Sequence, residues 1–189
     1  MKPPLFTELT EDSKERAFLL KNPKTPHYGR FKEFILGREF EWYRWDRTCP
    51  LMEDSVADDF PFLSHNFLKR PGGNRMFSQV NSRQIPNMNH LFTEICKHNE
   101  IDPKVIYRMN ANAVYPTERN LPSPPHVDHD FPHYNMIVYL TNPQGGWTIV
   151  DGEEYETEED DILIFNGELK HCAKPPSKDV RVVLVTTFL

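Results

Sequence analysis

The stretch "PPHVDHDFPHYN", residues 124 to 135, sets three histidines and two aspartates among three prolines. In an extended strand, residues two apart point to the same face, so His126 and Asp128 project together while Val127 faces away. A third donor has to come from another strand. His171, in "GELKHCAKPP", follows Asp128 by 43 residues, room for the intervening strands to return the chain to the same end of a fold. Two imidazoles and one carboxylate on one face leave about three positions of an octahedral ion open, an arrangement that suits Fe(II) binding a co-substrate and dioxygen together. A 2-oxo acid carrying a second carboxylate then needs a cation at the far end of its pocket. Arg181, ten residues after His171, opens the last apolar run, where a guanidinium can clasp a carboxylate with two parallel hydrogen bonds.

These residues need strands to hold them, and the sequence after Pro103 supplies the pattern. Short segments rich in β-branched and aromatic residues alternate with Gly, Pro, Asn and Asp turns. The expected strands are 104–115 "KVIYRMNANAVY", a strand ending near "HVD", 134–141 "YNMIVYLT", 146–150 "GWTIV", 161–165 "DILIF", a short one around His171, and 180–189 "VRVVLVTTFL". Such a series without intervening helices predicts a mainly β sandwich or jelly roll. The first hundred residues read as mixed helix and loop. Within them, 85–100 "IPNMNHLFTEICKHNE" spaces Met88, Leu91, Phe92, Ile95 and Cys96 as one stripe of an amphipathic helix lying against a sheet. The expected organisation is a single domain over 1–189, with a helical and loop support region over 1–103 and a jelly-roll core over 104–189.

"HVD", the later His171 and Arg181 together resemble the Fe(II)- and 2-oxoglutarate-dependent oxygenases, with spacing close to the prolyl hydroxylase branch. "AVYP" ahead of "HVD", "IVYLTNPQGGWTIV" and "DDILIF" resemble that branch as well, so the resemblance covers 104–189. It implies a double-stranded β-helix of cupin-like type, in which His126, Asp128 and His171 hold Fe(II) and act as the catalytic centre. It further implies that Arg181 and Tyr139 bind the distal carboxylate of 2-oxoglutarate, and that Tyr115 lies near the iron and the 2-oxo acid. Dioxygen would be the second co-substrate. The implied reaction is hydroxylation of a C–H bond with release of succinate and carbon dioxide, on a prolyl group of a peptide or protein. A small molecule such as a free amino acid, or a nucleobase, stays open as substrate. Retention of Asp128 points to hydroxylation and away from halogenation. "FEWYRW" and "PFLSHNF" resemble small phage-encoded members.

Two other readings compete. A cupin-type metal protein or isomerase would need no cation ten residues past its last ligand, and a metal-free interaction module would have no use for the three donors together. Neighbouring residues have plainer roles. His129, Asp130 and His133 would substitute as ligands only if the strand register slipped by one, and Pro132 argues against a strand continuing that far. His27, His65, His90 and His98 read as ordinary polar or partly buried histidines. Gly145 and Gly146 read as a turn, and 151–161 "DGEEYETEEDD" as a solvated hairpin with its neighbouring turn. The turn-rich stretch 55–79 suits a lid or a connection.

Composition limits the alternatives. Aromatic residues make up 12% of the chain, with 13 Phe, 7 Tyr and 3 Trp, too many large rings for a disordered segment. The net charge of -6 disfavours nucleic acid as a partner. No apolar run reaches the ~20 residues of a bilayer span, and no signal-like segment opens the sequence, so a cytoplasmic location with reduced thiols at Cys49, Cys96 and Cys172 is the expectation.

Overall fold

The computed structural model describes residues 17–46, 61–72, 76–118 and 120–189. Its strands in chain order are β1 (Ala17–Leu20), β2 (Tyr43–Trp45), β3 (Phe62–Lys69), β4 (Gln79–Val80), β5 (Ile106–Val114), β6 (Tyr134–Tyr139), β7 (Thr148–Val150), β8 (Glu153–Tyr155), β9 (Ile162–Asn166), β10 (His171–Ala173) and β11 (Arg181–Phe188). Two helices accompany them, α1 (Pro26–Leu36) and α2 (Ile85–His98). The strands form a large antiparallel sheet in the order β1, β9, β6, β11, β5, β3, β2, with β4 against β3, and a small one in the order β10, β7, β8. This two-sheet arrangement is the jelly roll that the strand series predicts.

The pleat of the large sheet separates its two faces. Met109, Ala111 and Ala113 of β5, Met136 and Val138 of β6, and Val182 and Leu184 of β11 pack outward against α1 and α2 in one apolar core. The alternate residues Ile137, Tyr139, Leu163, Phe165, Val183 and Val185 point inward toward the small sheet and form a second. Helix α2 presents Met88, Leu91, Phe92, Ile95 and Cys96 to the outer core, the stripe its spacing predicts. Helix α1 starts at a Thr25 cap, whose hydroxyl accepts from the Tyr28 amide at 3.1 Å, followed at once by Pro26.

The first hundred residues hold more strand than their composition suggests. The stretch 62–69, read in sequence as part of a lid or connection, is an interior strand between β5 and β2. Its period-two pattern is disguised because His65 occupies an apolar-side position, where it packs on Phe40 and Phe67 and both ring nitrogens have partners, the Glu41 carbonyl at 2.7 Å and the Ser82 hydroxyl at 2.8 Å. Strand β1 pairs with β9 along Ala17 to Leu20. The described residues of this region therefore supply the strands at both ends of the large sheet, β1 and β2, together with β3, β4 and the helical backing. Residues 55–60, 73–75 and Cys49 lie outside the described residues.

Candidate metal centre and co-substrate cavity

His126 and His171 form an antiparallel bridge at the free edge of the small sheet, with His126 N–H donating to the His171 carbonyl at 3.0 Å and the reverse bond at 2.9 Å. Ser123 N–H extends the pairing to the Ala173 carbonyl. The histidine rings stand 4.8 Å apart, and Asp128, two residues beyond His126, turns its carboxylate to the same side. One donor atom from each of His126, Asp128 and His171 falls within 4.8 Å of the others. Asp128 Oδ2 lies 3.5 Å from His171 Nε2.

The protonation state of the cluster suits a cation. The Nδ1 atoms of His126 and His171 sit 3.0 Å from the Pro124 carbonyl and 3.3 Å from the Leu169 carbonyl. A carbonyl only accepts, so Nδ1 carries the proton in each ring and Nε2 keeps its lone pair for a ligand role. Burial lowers the pKa of His126, and the neighbouring His171 lowers it further. Burial alone would raise the Asp128 carboxyl, yet the Arg108 guanidinium, with His171 and His126, holds it well below the usual carboxylate range. Arg108 Nη1 donates to Asp128 Oδ1, which leaves Oδ2 facing the histidines. Arg70 Nη1 donates to the Asp128 backbone carbonyl at 2.7 Å and fixes the turn that carries the carboxylate. The donor set, two imidazoles that each turn Nδ1 to a backbone carbonyl and one ionised carboxylate, fits a divalent first-row metal with open positions.

Arg181 lines the same cavity as these three residues and is buried. Its Nε donates to the Gly146 carbonyl at 2.9 Å and one Nη2 hydrogen to the Thr148 hydroxyl at 2.8 Å. The guanidinium lies 5.2 Å from the Tyr139 ring centroid. Gly145 and Gly146 do more than turn the chain. Gly145 holds a φ of +79°, and a Cβ on Gly146 would sit 3.0 Å from Arg181 Cδ and 3.0 Å from Pro143 Cγ, so a side chain there would displace the arginine.

The two expected tyrosines part company. Tyr139 is buried, but its hydroxyl lies 2.5 Å from the Thr148 hydroxyl, so Thr148 faces the cavity and Tyr139 braces it from behind. Tyr115, expected near the metal, stands one residue past β5 with 51% of its surface exposed and does not line the cavity. The reason is the pleat: Val114 faces the cavity, so its neighbour points away.

His129 and His133 fold back beneath the cluster. His129 Nε2 lies 2.8 Å from the Thr187 hydroxyl, and burial beside His133 pushes its pKa down to about 4. His133 packs over Gly167, where an added Cβ would lie 2.2 Å from its ring. Asn135 is an unforeseen member of the site. It lines the cavity from β6, is fully buried, and neither end of its amide has a partner among the described residues. Arg108 and Asn135 carry a signal visible in "YRMNANAV" and "HYNMIV": polar residues alternating with apolar ones on strands that have no solvent face.

No protein-family model matches the chain, and no curated protein sequence matches it either. Solved structures do. A 2OG-Fe(II) oxygenase family oxidoreductase from Burkholderia pseudomallei superposes with a TM-score of 0.62 at 11% identity, covering 92% of this chain and 85% of its own. The fold is that of the 2OG-Fe(II) oxygenases. The non-heme alpha ketoglutarate dependent epimerase SnoN from nogalamycin biosynthesis matches with a TM-score of 0.59 at 12% identity, over 93% of this chain and 78% of its own. A prolyl hydroxylase from Trichoplax adhaerens, solved with a hypoxia inducible factor oxygen degradation domain peptide fragment, matches with a TM-score of 0.57 at 12% identity, over 93% and 84%.

Proposed function

We propose that the protein is an Fe(II)- and 2-oxoglutarate-dependent dioxygenase that hydroxylates a C–H bond, with a prolyl group in a peptide or protein as its substrate. The observation that carries this reading is that one cavity joins the His126, Asp128 and His171 cluster to a buried arginine, Arg181. A cupin-type metal site has no use for that arginine. Support for the peptide comes from the Trichoplax adhaerens prolyl hydroxylase, which shares the fold and binds a peptide fragment.

His126, Asp128 and His171 would hold Fe(II), 2-oxoglutarate would chelate it, and its distal carboxylate would meet Arg181 and Thr148. Bound there, iron would supply the oxidative decarboxylation of 2-oxoglutarate by dioxygen to succinate and carbon dioxide, one oxygen atom entering succinate and the other the substrate C–H bond. The chain's own contribution is positional. The small-sheet bridge sets the distance between the two imidazoles, Arg108 keeps Asp128 ionised and presents Oδ2, and Gly146 leaves room for Arg181. The inward residues Ile137, Val183 and Val185 wall the cavity with apolar surface and limit water beside the co-substrate.

The test is succinate release from 2-oxoglutarate by iron-loaded protein under air, with and without proline-containing peptides. The reading expects release that a proline peptide accelerates, with a mass gain of one oxygen on the peptide and loss of both signals in His171→Ala. Release that ignores peptides but rises with a free amino acid would keep the oxygenase and reject the prolyl peptide. No release at all, in protein shown to hold iron, would reject both.

A further inference from the structure

A second cluster of donors lies away from the cavity. His27, His90 and Glu94 each bring one donor atom to within 4.8 Å of the others. They come from two elements: His27 is the second residue of α1, and His90 and Glu94 stand four apart on one face of α2. His27 Nδ1 lies 3.3 Å from Glu94 Oε2, His90 Nε2 lies 3.4 Å from Glu94 Oε1, and the two imidazole centroids are 4.4 Å apart. Metal–ligand bonds of about 2.1 Å place the corners of a zinc tetrahedron about 3.4 Å apart, and each histidine nitrogen already stands at about that distance from one of the two Glu94 oxygens, His27 from Oε2 and His90 from Oε1. The two histidine nitrogens would close by at most about 1.4 Å from their present limit.

His27 is the telling member. Both of its ring nitrogens are shut off from solvent, and neither makes a hydrogen bond, despite the nearby carboxylate. Imidazole nitrogens buried without a partner are unfavourable, and a metal at this spot would give one of them a partner. Glu94 is held in place by another contact, because the Thr25 hydroxyl that caps α1 donates to Glu94 Oε2 at 2.9 Å. A ligand carboxylate fixed by an outer hydrogen bond is the usual setting of a metal site. The positive end of α1 opposes a cation there, and the Glu94 charge offsets it.

We propose that His27, His90 and Glu94 form a second metal site, separate from the cavity, that takes Zn(II) or a similar borderline cation with water as the fourth ligand. Its role is structural: it fastens α1 to α2 behind the large sheet. The proposal does not depend on the oxygenase reading. Equilibrium dialysis of Zn(II) against the chelator-stripped full chain tests it. The expected result is two ions per chain in the wild type, one in His90→Gln, one in Glu94→Gln, one in His171→Ala, and none in His90→Gln combined with His171→Ala. Zinc should also raise the melting temperature of His171→Ala and fail to raise that of the combined variant. His90 is 60% exposed by side chain, so its replacement leaves the fold intact. One ion in the wild type, lost in His171→Ala and kept in His90→Gln, would overturn the proposal, as would a second ion kept in both His90→Gln and Glu94→Gln. Zinc lost in His90→Gln but unchanged in His171→Ala would uphold this site and count against the cavity centre.

Discussion

The two faces of the large sheet are built from the same strands and do different work. On β5, Met109, Ala111 and Ala113 enter the dry outer core, while Arg108, Asn112 and Val114, their neighbours in sequence, look into the cavity. On β11, Val182 and Leu184 go outward, while Arg181, Val183 and Val185 go inward. On β6, Met136 and Val138 lie opposite Asn135 and Ile137. The period of two thus lets one strand contribute to stability on one side and to chemistry on the other, with Arg108, Asn112, Asn135 and Arg181 all on the side of the cavity. The outer face could not tolerate Arg108 or Asn135, because helices cover it and offer no partner.

Substitutions on the two faces should separate stability from binding. The largest effect on folding is expected on the outer face: Leu184→Ala should cost about 2–5 kcal/mol, a fall of roughly 4–20 °C in Tm, with 2-oxoglutarate affinity of the folded protein unchanged. Calorimetric melting alongside binding of 2-oxoglutarate checks it, and an equal loss of affinity would erase the distinction between faces. On the inner face, Arg108→Gln removes the group that holds Asp128 Oδ1 and should weaken Fe(II) or Mn(II) binding by about 10–100-fold, with little change in Tm. Metal titration of the variant reads this directly.

The smallest effect concerns the clamp that fixes α1 to the loop before β9, where Asp160 accepts from Tyr28 and pairs with Lys32 and Lys24. Burial alone would raise the Asp160 carboxyl, but Lys32, Tyr28 and Lys24 bring it below its ordinary value of 3.8. A depressed carboxyl adds stability above its unfolded pKa and loses it as pH falls through the lower, folded value. Asp160→Asn should therefore cost about 1 kcal/mol at pH 7 and nothing once the pH is well below 3.8. The asparagine also tolerates the left-handed backbone at this position, where φ is +72°, so the substitution removes the charge and one acceptor oxygen without adding backbone strain. Denaturant melts of both proteins across acid pH check it, and a cost that persists in acid would assign the effect to something other than the charge.

The same division explains what the sequence made legible. Strands β6, β9 and β11 announce themselves because they are largely buried on both faces and read as mostly apolar runs with β-branched residues, and β5 by its alternation of polar and apolar residues. The candidate site is legible because a spacing of two puts His126 and Asp128 on one side, although the strand expected there is only an isolated bridge at His126, and because Arg181 opens a largely apolar strand. Strand β3 is obscured by His65 and Ser64, polar residues whose partners, Glu41, Ser82, Ala111 and Asn112, are distant in sequence. Tyr115 misleads because resemblance gives a position and the pleat decides the side. Arg108 and Asn135 show in the sequence only as polar residues on apolar strands, and their meaning depends on which face of the sheet the cavity occupies, which tertiary packing decides.

The central claim is that Arg181 and the cluster of His126, Asp128 and His171 are two ends of one binding site. Anaerobic calorimetry of 2-oxoglutarate against Mn(II)-loaded protein tests it, with Arg181→Ala and His171→Ala measured in parallel. The account predicts binding that requires the metal, is lost in His171→Ala, and weakens at least 30-fold in Arg181→Ala, the lower end of what losing one partner of a buried, hydrogen-bonded charge pair costs, about 2 kcal/mol or more. Affinity that is indifferent to metal, or metal-dependent affinity unchanged in Arg181→Ala, would contradict it.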